Sequence, residues 1–421
     1  MSHDAHSQRS ALDVIQEFSV PLLAGVLISL LWGNIDPHAY HEAVHWSPLG
    51  NGSHLNLHFF ANEILMVFFF GVAAKEITEA CLPGGALNPP RKAVNPLMGT
   101  LGGVVGPVGC FFLFAWLLGA PDIYGGWGIP TATDIALAWL VARLVFGAGH
   151  PAVSFLLLLA VADDAIGLAI IAVFYPDPNN PVAPMWLGLV ALGMVVGYGL
   201  RRREVTSFWP YVLGAGGLSW FGLLSAHLHP ALALVPIVPF MPNRGRDEGM
   251  FSERGLNFPD TLNQFEHFFK RPVDFGLLTF GLANAGVAFS SVGPATWAVA
   301  GALVIGKTAG ITVFSYGAHV AGFSLPEGMN LKSLIVAGLV AGIGLTVALF
   351  VAGVAYTDES LIGSAKMGAL ISSLAAPLAF ALGKVLSVHR KHSVAEGGAV
   401  SPASAGEGLD LGGAAPSRDR S

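Results

Sequence analysis

Ser154-Phe-Leu-Leu-Leu-Leu-Ala-Val-Ala-Asp163-Asp164-Ala-Ile-Gly-Leu-Ala-Ile-Ile-Ala-Val-Phe174 is an apolar run long enough to cross a bilayer, with two adjacent carboxylates near its middle. An acid at the centre of a membrane helix costs roughly 2.5–3.5 kcal/mol even on an insertion scale. Two like charges side by side add their repulsion to that cost. A chain that keeps such a pair has a use for it. The structural alternative is a helix-packing hydrogen bond donated by a protonated aspartate.

Composition agrees with a membrane reading. Hydrophobic residues make up 53% of the 421 residues and charged residues 11%, and the mean hydropathy is +0.62. A soluble domain carries about 25% charged residues. The 53 glycines suit helices packed closely in lipid, where small residues let backbones approach. The only cysteines are Cys81 and Cys110, one in a loop and one in a span, so no disulfide framework is expected. The first apolar stretch lacks a small-residue cleavage site and reads as a retained helix, not a signal peptide.

Hydropathy predicts twelve spans, near 16–33, 58–75, 96–119, 129–147, 151–175, 184–200, 208–226, 230–241, 273–291, 295–317, 332–356 and 361–387. The loops 34–57, 120–128, 176–183, 227–229, 292–294 and 357–360 contain no Lys or Arg. The opposite set holds Arg9, Lys75, Arg91, Lys92, Arg201, Arg202, Arg203, Arg244, Arg246, Arg254, Lys270, Arg271, Lys332, Arg390 and Lys391. This division places both termini in the cytoplasm. Lys366, near the outer end of the last span, is the mild exception. The expected organisation is a cytoplasmic segment 1–15, one all-α polytopic membrane domain over 16–390, and a Gly/Ala/Ser/Pro-rich disordered cytoplasmic tail over 391–421. Asn51-Gly52 between short apolar runs predicts a small β-hairpin over 46–57.

Two spans read as interrupted. The fourth carries Pro130-Thr131-Ala-Thr133-Asp134, and proline removes a backbone donor and disrupts the preceding turn. The eleventh carries Gly342-Ile-Gly344-Leu-Thr346. Irregular backbone at membrane depth survives only inside protein or beside a water-filled cavity, and paired interruptions in two halves of a transporter point to its substrate site. A harmless proline kink and a glycine packing face are the alternatives.

The chemistry open to these residues is cation binding. Hard cations take oxygen ligands, and Asp163 and Asp164 supply them, pointing about 100° apart around their helix. Protons and Na⁺ then compete for the same oxygens, and the pair titrates as a coupled unit. Lys307, deep in the tenth span, must find a partner or give up its proton. Asp163 and Asp134 are the candidates. A structural salt bridge and a second coupled proton both remain open for it.

Five segments in order carry a family resemblance: Ala132-Thr133-Asp134-Ile-Ala, Ala162-Asp163-Asp164, Leu282-Ala-Asn284-Ala-Gly-Val287, Ile305-Gly-Lys307 and Gly342-Ile-Gly344-Leu-Thr346. Over roughly 15–390 the chain resembles the bacterial sodium–proton antiporters of the NhaA type, a family of broken-helix, inverted-repeat transporters. The resemblance implies inverted repeats with spans four and eleven broken and crossing. It implies Asp164 as direct Na⁺ ligand, Asp163 as its partner, and Thr133 assisting. It implies Asp134 and Lys307 as the charges facing the crossing. It further implies electrogenic Na⁺ or Li⁺ exchange for H⁺, extruding cytoplasmic sodium for pH and sodium homeostasis. The expected setting is the bacterial inner membrane, as a homodimer joined through the 46–57 hairpin among membrane lipids. No cofactor, enzymatic activity or nucleic-acid partner is expected.

Glu63 matches an acid near the outer end of the second span, and His227 a histidine at the outer end of the seventh. Lys75, Glu76, Glu266 and His267 fall where the family has its cytoplasmic pH-response cluster. The usual Glu-x-Lys-Arg-Glu is altered here to Ala73-Ala74-Lys75-Glu76-Ile77, and Lys270-Arg271 replace a His-Pro. The rival readings are a same-fold exchanger for another cation, a sodium-coupled symporter, and an intramembrane aspartyl protease. The last requires carboxylates converging from separate helices, and no Gly-x-Gly-Asp segment occurs.

Overall fold

The computed structural model describes residues 20–47, 55–82, 90–147, 149–176, 180–243 and 260–388. The segment 1–15, residues 48–54 of the expected hairpin and the tail 391–421 lie outside the described residues. Within them the chain is helical, with no strand.

Helix α1 (Val20–Ile35) and the short α2 (Pro37–His45) come first. They are followed by α3 (Leu57–Cys81), α4 (Pro90–Leu117), the 3₁₀ helix α5 (Pro121–Thr131), α6 (Ile135–Phe146) and α7 (Pro151–Phe174). Next are α8 (Pro184–Arg202), α9 (210–225) and α10 (Thr261–Asn284). The last are α11 (Pro294–Val320), α12 (Leu331–Ala341), α13 (Leu345–Ala355) and α14 (Glu359–Val385). Among the described residues, 6 helices are long and apolar enough to cross a membrane, or up to 8 if each bent pair is one span. The pairs are α5 with α6, bent by 63°, and α12 with α13, bent by 48°.

The apolar segment 230–241, expected as an eighth span, forms only short 3₁₀ turns at Pro230–Leu232 and Val238–Phe240. Its prolines at 230, 236 and 239 remove donors and clash with preceding carbonyls. It is nevertheless core: Ala231, Leu234, Ile237, Val238 and Met241 are buried. The ninth span is displaced from its expected 273–291. Helix α10 starts at Thr261, where the Asp260 side chain caps it by accepting from Asn263 N at 2.8 Å, and it ends at Asn284. Pro272 lies inside it.

Small residues set the closest helix contact. On α4, a Cβ added at Gly102 or Gly106 would strike the backbone of α11 around Gly310 and Gly306. Two helices can touch backbone to backbone only where no side chain intervenes. This contact brings α11, with Lys307, against α4 beside α7. A π-helical turn over Ala302–Gly306 immediately precedes Lys307, a local widening that often marks a functional position.

Candidate functional site

Asp163 and Asp164 lie midway along α7, and both are buried, Asp163 completely. The two oxygens of Asp163 have different surroundings. Oδ2 is 3.0 Å from Lys307 Nζ and 2.9 Å from Thr133 Oγ1. Oδ1 is buried without a hydrogen-bond partner, and so is Asp164 Oδ1. A buried polar atom left unpaired carries a desolvation cost of about 1–3 kcal/mol, and carboxylate oxygens in this condition suit a hard cation.

Thr133 and Asp134 stand in the non-helical stretch 132–134 between α5 and α6. The second break, 342–344, lies against it: Asp134 N donates to Ile343 O at 2.8 Å. Gly344 permits this approach, because a Cβ there would come 3.2 Å from Ala132 O and 2.6 Å from Leu303. Thr133 Oγ1 is also 3.0 Å from Ala341 O, at the end of α12. Its one hydroxyl proton serves either Asp163 or that carbonyl.

The charges at the breaks match the helix ends they meet. Asp134 is the N-cap of α6, its Oδ1 accepting from Leu137 N at 3.1 Å. Its Oδ2 accepts from Thr346 N at 3.2 Å and Thr346 Oγ1 at 2.9 Å, in the first turn of α13. One carboxylate therefore sits at two helix N-termini, the positive ends of their dipoles. Lys307 Nζ donates to Thr131 O at 2.7 Å, at the C-terminal end of α5, where a cation is favoured. Of the two candidate partners for Lys307, Asp163 meets it and Asp134 is engaged elsewhere.

A second buried ammonium belongs to Lys75 on α3. Its Nζ is 2.8 Å from Glu79 Oε2, 3.7 Å from Glu76 Oε1, and paired with Glu266 of α10. His267 is exposed, on a different side of α10 from the buried Glu266. Glu63 occupies a π-helical stretch of α3; its carbonyl accepts from Trp220 Nε1 at 2.9 Å, and its Oε2 is buried without a hydrogen-bond partner. His227 Nδ1 is 2.9 Å from Pro181 O. Asn284 donates to Asn62 Oδ1 at 3.0 Å, joining α10 to α3.

Three partners escape a reading of the sequence. Thr346 lies in a quoted motif, yet nothing in its spacing ties it to Asp134. The carbonyl of Thr131 has no sequence signature. Glu79 does have one, since it stands four residues after Lys75 on a helix, a spacing that brings side chains together.

The chain matches the family model described as Na⁺/H⁺ antiporter 1 over residues 11–383. It is 60% identical over 382 residues to the Na(+)/H(+) antiporter NhaA of Geobacter sulfurreducens, covering 91% of this chain and 99% of that protein. It is 58% identical over 385 residues to the Na(+)/H(+) antiporter NhaA of Desulfitobacterium hafniense, covering 91% and 98%. Among solved structures, it resembles in fold the sodium proton antiporter MjNhaP1 from Methanocaldococcus jannaschii, with a TM-score of 0.54 at 15% identity, covering 88% of this chain and 92% of that one.

Proposed function

This chain belongs to the Na⁺/H⁺ antiporter 1 family, and from that premise we propose that Asp163 and Asp164 form its cation site, with Thr133 assisting. It is a multi-pass membrane Na⁺/H⁺ antiporter, a secondary transporter and not an enzyme. The observation that carries the site assignment is the division of labour at Asp163. One oxygen is committed to Lys307 and Thr133, while Oδ1 of Asp163 and Oδ1 of Asp164 are buried and unpaired.

Exchange follows from competition. A sodium ion entering between these carboxylates needs their negative charge, so it displaces protons held there; protonation in turn removes the charge and releases sodium. Asp164 serves as the principal ligand. Sodium drawn to Asp163 weakens its bond to Lys307, which then relies on the Thr131 carbonyl and releases a second proton. More protons entering than sodium leaving makes the exchange electrogenic, and Li⁺ is an alternative cargo. No cofactor takes part.

The bent pairs α5–α6 and α12–α13 are interrupted spans four and eleven of two inverted repeats. Asp134 and Lys307 offset the helix-end charges at their crossing. The positive-inside pattern puts both termini on the cytoplasmic side of the bacterial inner membrane, with 1–15 and 391–421 flanking one transport domain over 16–390. The Lys75, Glu76, Glu266 and His267 region faces the cytoplasm and contributes to the pH response, and the 46–57 segment joins two copies into a homodimer within the lipid.

Everted vesicles carrying a pH-sensitive dye test the site. Adding Na⁺ to respiring vesicles is expected to dissipate the proton gradient, and Asp164→Asn to abolish that response. A full response in the Asp164→Asn protein would remove Asp164 from the site.

A further inference from the structure

Gly103 stands on α4 where that helix meets Asp163 of α7 and Ile311 of α11. It is buried. A Cβ built on it would lie 3.2 Å from Asp163 Oδ1, 3.6 Å from Oδ2 and 3.3 Å from Ile311 Cγ1. The nearest atom is thus the unpaired oxygen, not the one engaged by Lys307 and Thr133. The neighbouring glycines serve another purpose: Gly102 and Gly106 face the backbone of α11. Gly103 alone among these leaves its space beside a carboxylate.

We propose that Gly103 is a specificity-determining residue: its missing side chain gives Asp163 Oδ1 the freedom to accept a cation of sodium's size. The inference rests on the cation site proposed above and goes beyond it by naming what sets the ion's size. Oδ2 is held by an ammonium and a hydroxyl, so Oδ1 is the oxygen whose lone pairs can accept an ion while Oδ2 keeps those partners. A methyl at 3.2 Å is tighter than an ordinary carbon–oxygen contact, and the carboxylate must yield by a few tenths of an ångström. That displacement is on the scale that separates cation classes. Oxygen ligands stand at about 2.3–2.6 Å from an ion as large as Ca²⁺ and about 2.0–2.1 Å from one as small as Mg²⁺, and selectivity between them follows cavity size and rigidity. Sodium is of the larger kind and lithium of the smaller. Crowding at Gly103 therefore penalises Na⁺ more than Li⁺.

The test is Gly103→Ala in everted vesicles, with apparent KM measured for Na⁺ and Li⁺ separately. The Na⁺ KM is expected to rise about tenfold relative to that for Li⁺. Gly109→Ala, on the same helix where an added methyl meets nothing within 4 Å, leaves both values unchanged. The double variant Gly103→Ala/Ile311→Ala removes the Cγ1 that meets the new methyl from α11 but leaves the carboxylate contact, so it retains the shifted ratio; a melting curve of each purified protein follows its fold. Equal loss for both ions, no change for either, or a ratio restored by Ile311→Ala would each overturn the proposal. A wild-type protein unresponsive to both ions would instead overturn the cation site itself.

Discussion

Among the described residues, two lysines have fully buried side chains, and they are held in opposite ways. Lys75 is ringed by three glutamates, Glu76, Glu79 and Glu266. Lys307 has one carboxylate, a single oxygen of Asp163, plus the Thr131 carbonyl. The first ammonium is over-determined, since any one glutamate can be lost with charge to spare. The second depends on an anion that, in the proposed cation site, a sodium ion would also want. Redundant pairing makes an anchor, and single, contested pairing makes a part that can change partners. Both side chains are out of solvent, and the two places differ in how many carboxylates bond the ammonium.

The strongest way to break the contrast is to remove the contested anion. Asp163→Asn deprives the buried Lys307 ammonium of its bonded carboxylate, a change that costs about 3–5 kcal/mol when one partner of a buried pair is removed. The expected outcome is loss of Na⁺-driven proton release in vesicles together with a marked fall in melting temperature. Full activity with unchanged melting would mean that the pair is ornamental.

Lys307→Ala attacks the same pair from the other side and leaves Asp163 Oδ2 with Thr133 alone. The expected result is residual sodium binding, reduced stability, and exchange that loses part of its dependence on membrane potential. Wild-type electrogenicity in proteoliposomes would deny Lys307 any share in proton coupling.

Glu79→Gln sharpens the contrast by testing the redundant cluster. Glu76 and Glu266 remain around Lys75, so stability is expected to fall by less than it does in Asp163→Asn. Exchange should persist, with any effect confined to the pH midpoint. A loss as large as that of Asp163→Asn would erase the distinction between the two lysines.

The smallest effect on exchange is expected from Thr346→Val. Asp134 then loses a hydroxyl donor but keeps the backbone N–H groups of Leu137 and Thr346. The expected cost is about 1–2 kcal/mol, measured by thermal melting, with exchange retained.

The sequence was informative wherever a charge interrupted an apolar run, because such a residue has few physical excuses. Asp163, Asp164, Asp134 and Lys307 stand out for that reason alone. The partners that complete the site did not stand out. Thr346 looks like any threonine in an apolar helix, and its contact with Asp134 depends on two distant segments meeting. A backbone carbonyl such as that of Thr131 has no sequence identity at all. The fold was legible in its long apolar helices and misread at two places. Hydrophobicity suggested a span at 230–241, where repeated prolines forbid regular helix. The start of α10 was hidden in a polar stretch, although Asp260 is an ordinary capping residue there. Gly103 was invisible as a site residue, because the importance of an absent side chain appears only when its neighbour is known.

The central claim is that sodium and protons compete for the carboxylates of Asp163 and Asp164, and titration calorimetry of the purified protein tests it most directly. Sodium affinity measured across about two pH units is expected to weaken as pH falls, approaching a tenfold loss per unit for each competing proton, with protons released on binding. A sodium affinity that stays constant with pH, binding without proton release, would contradict it.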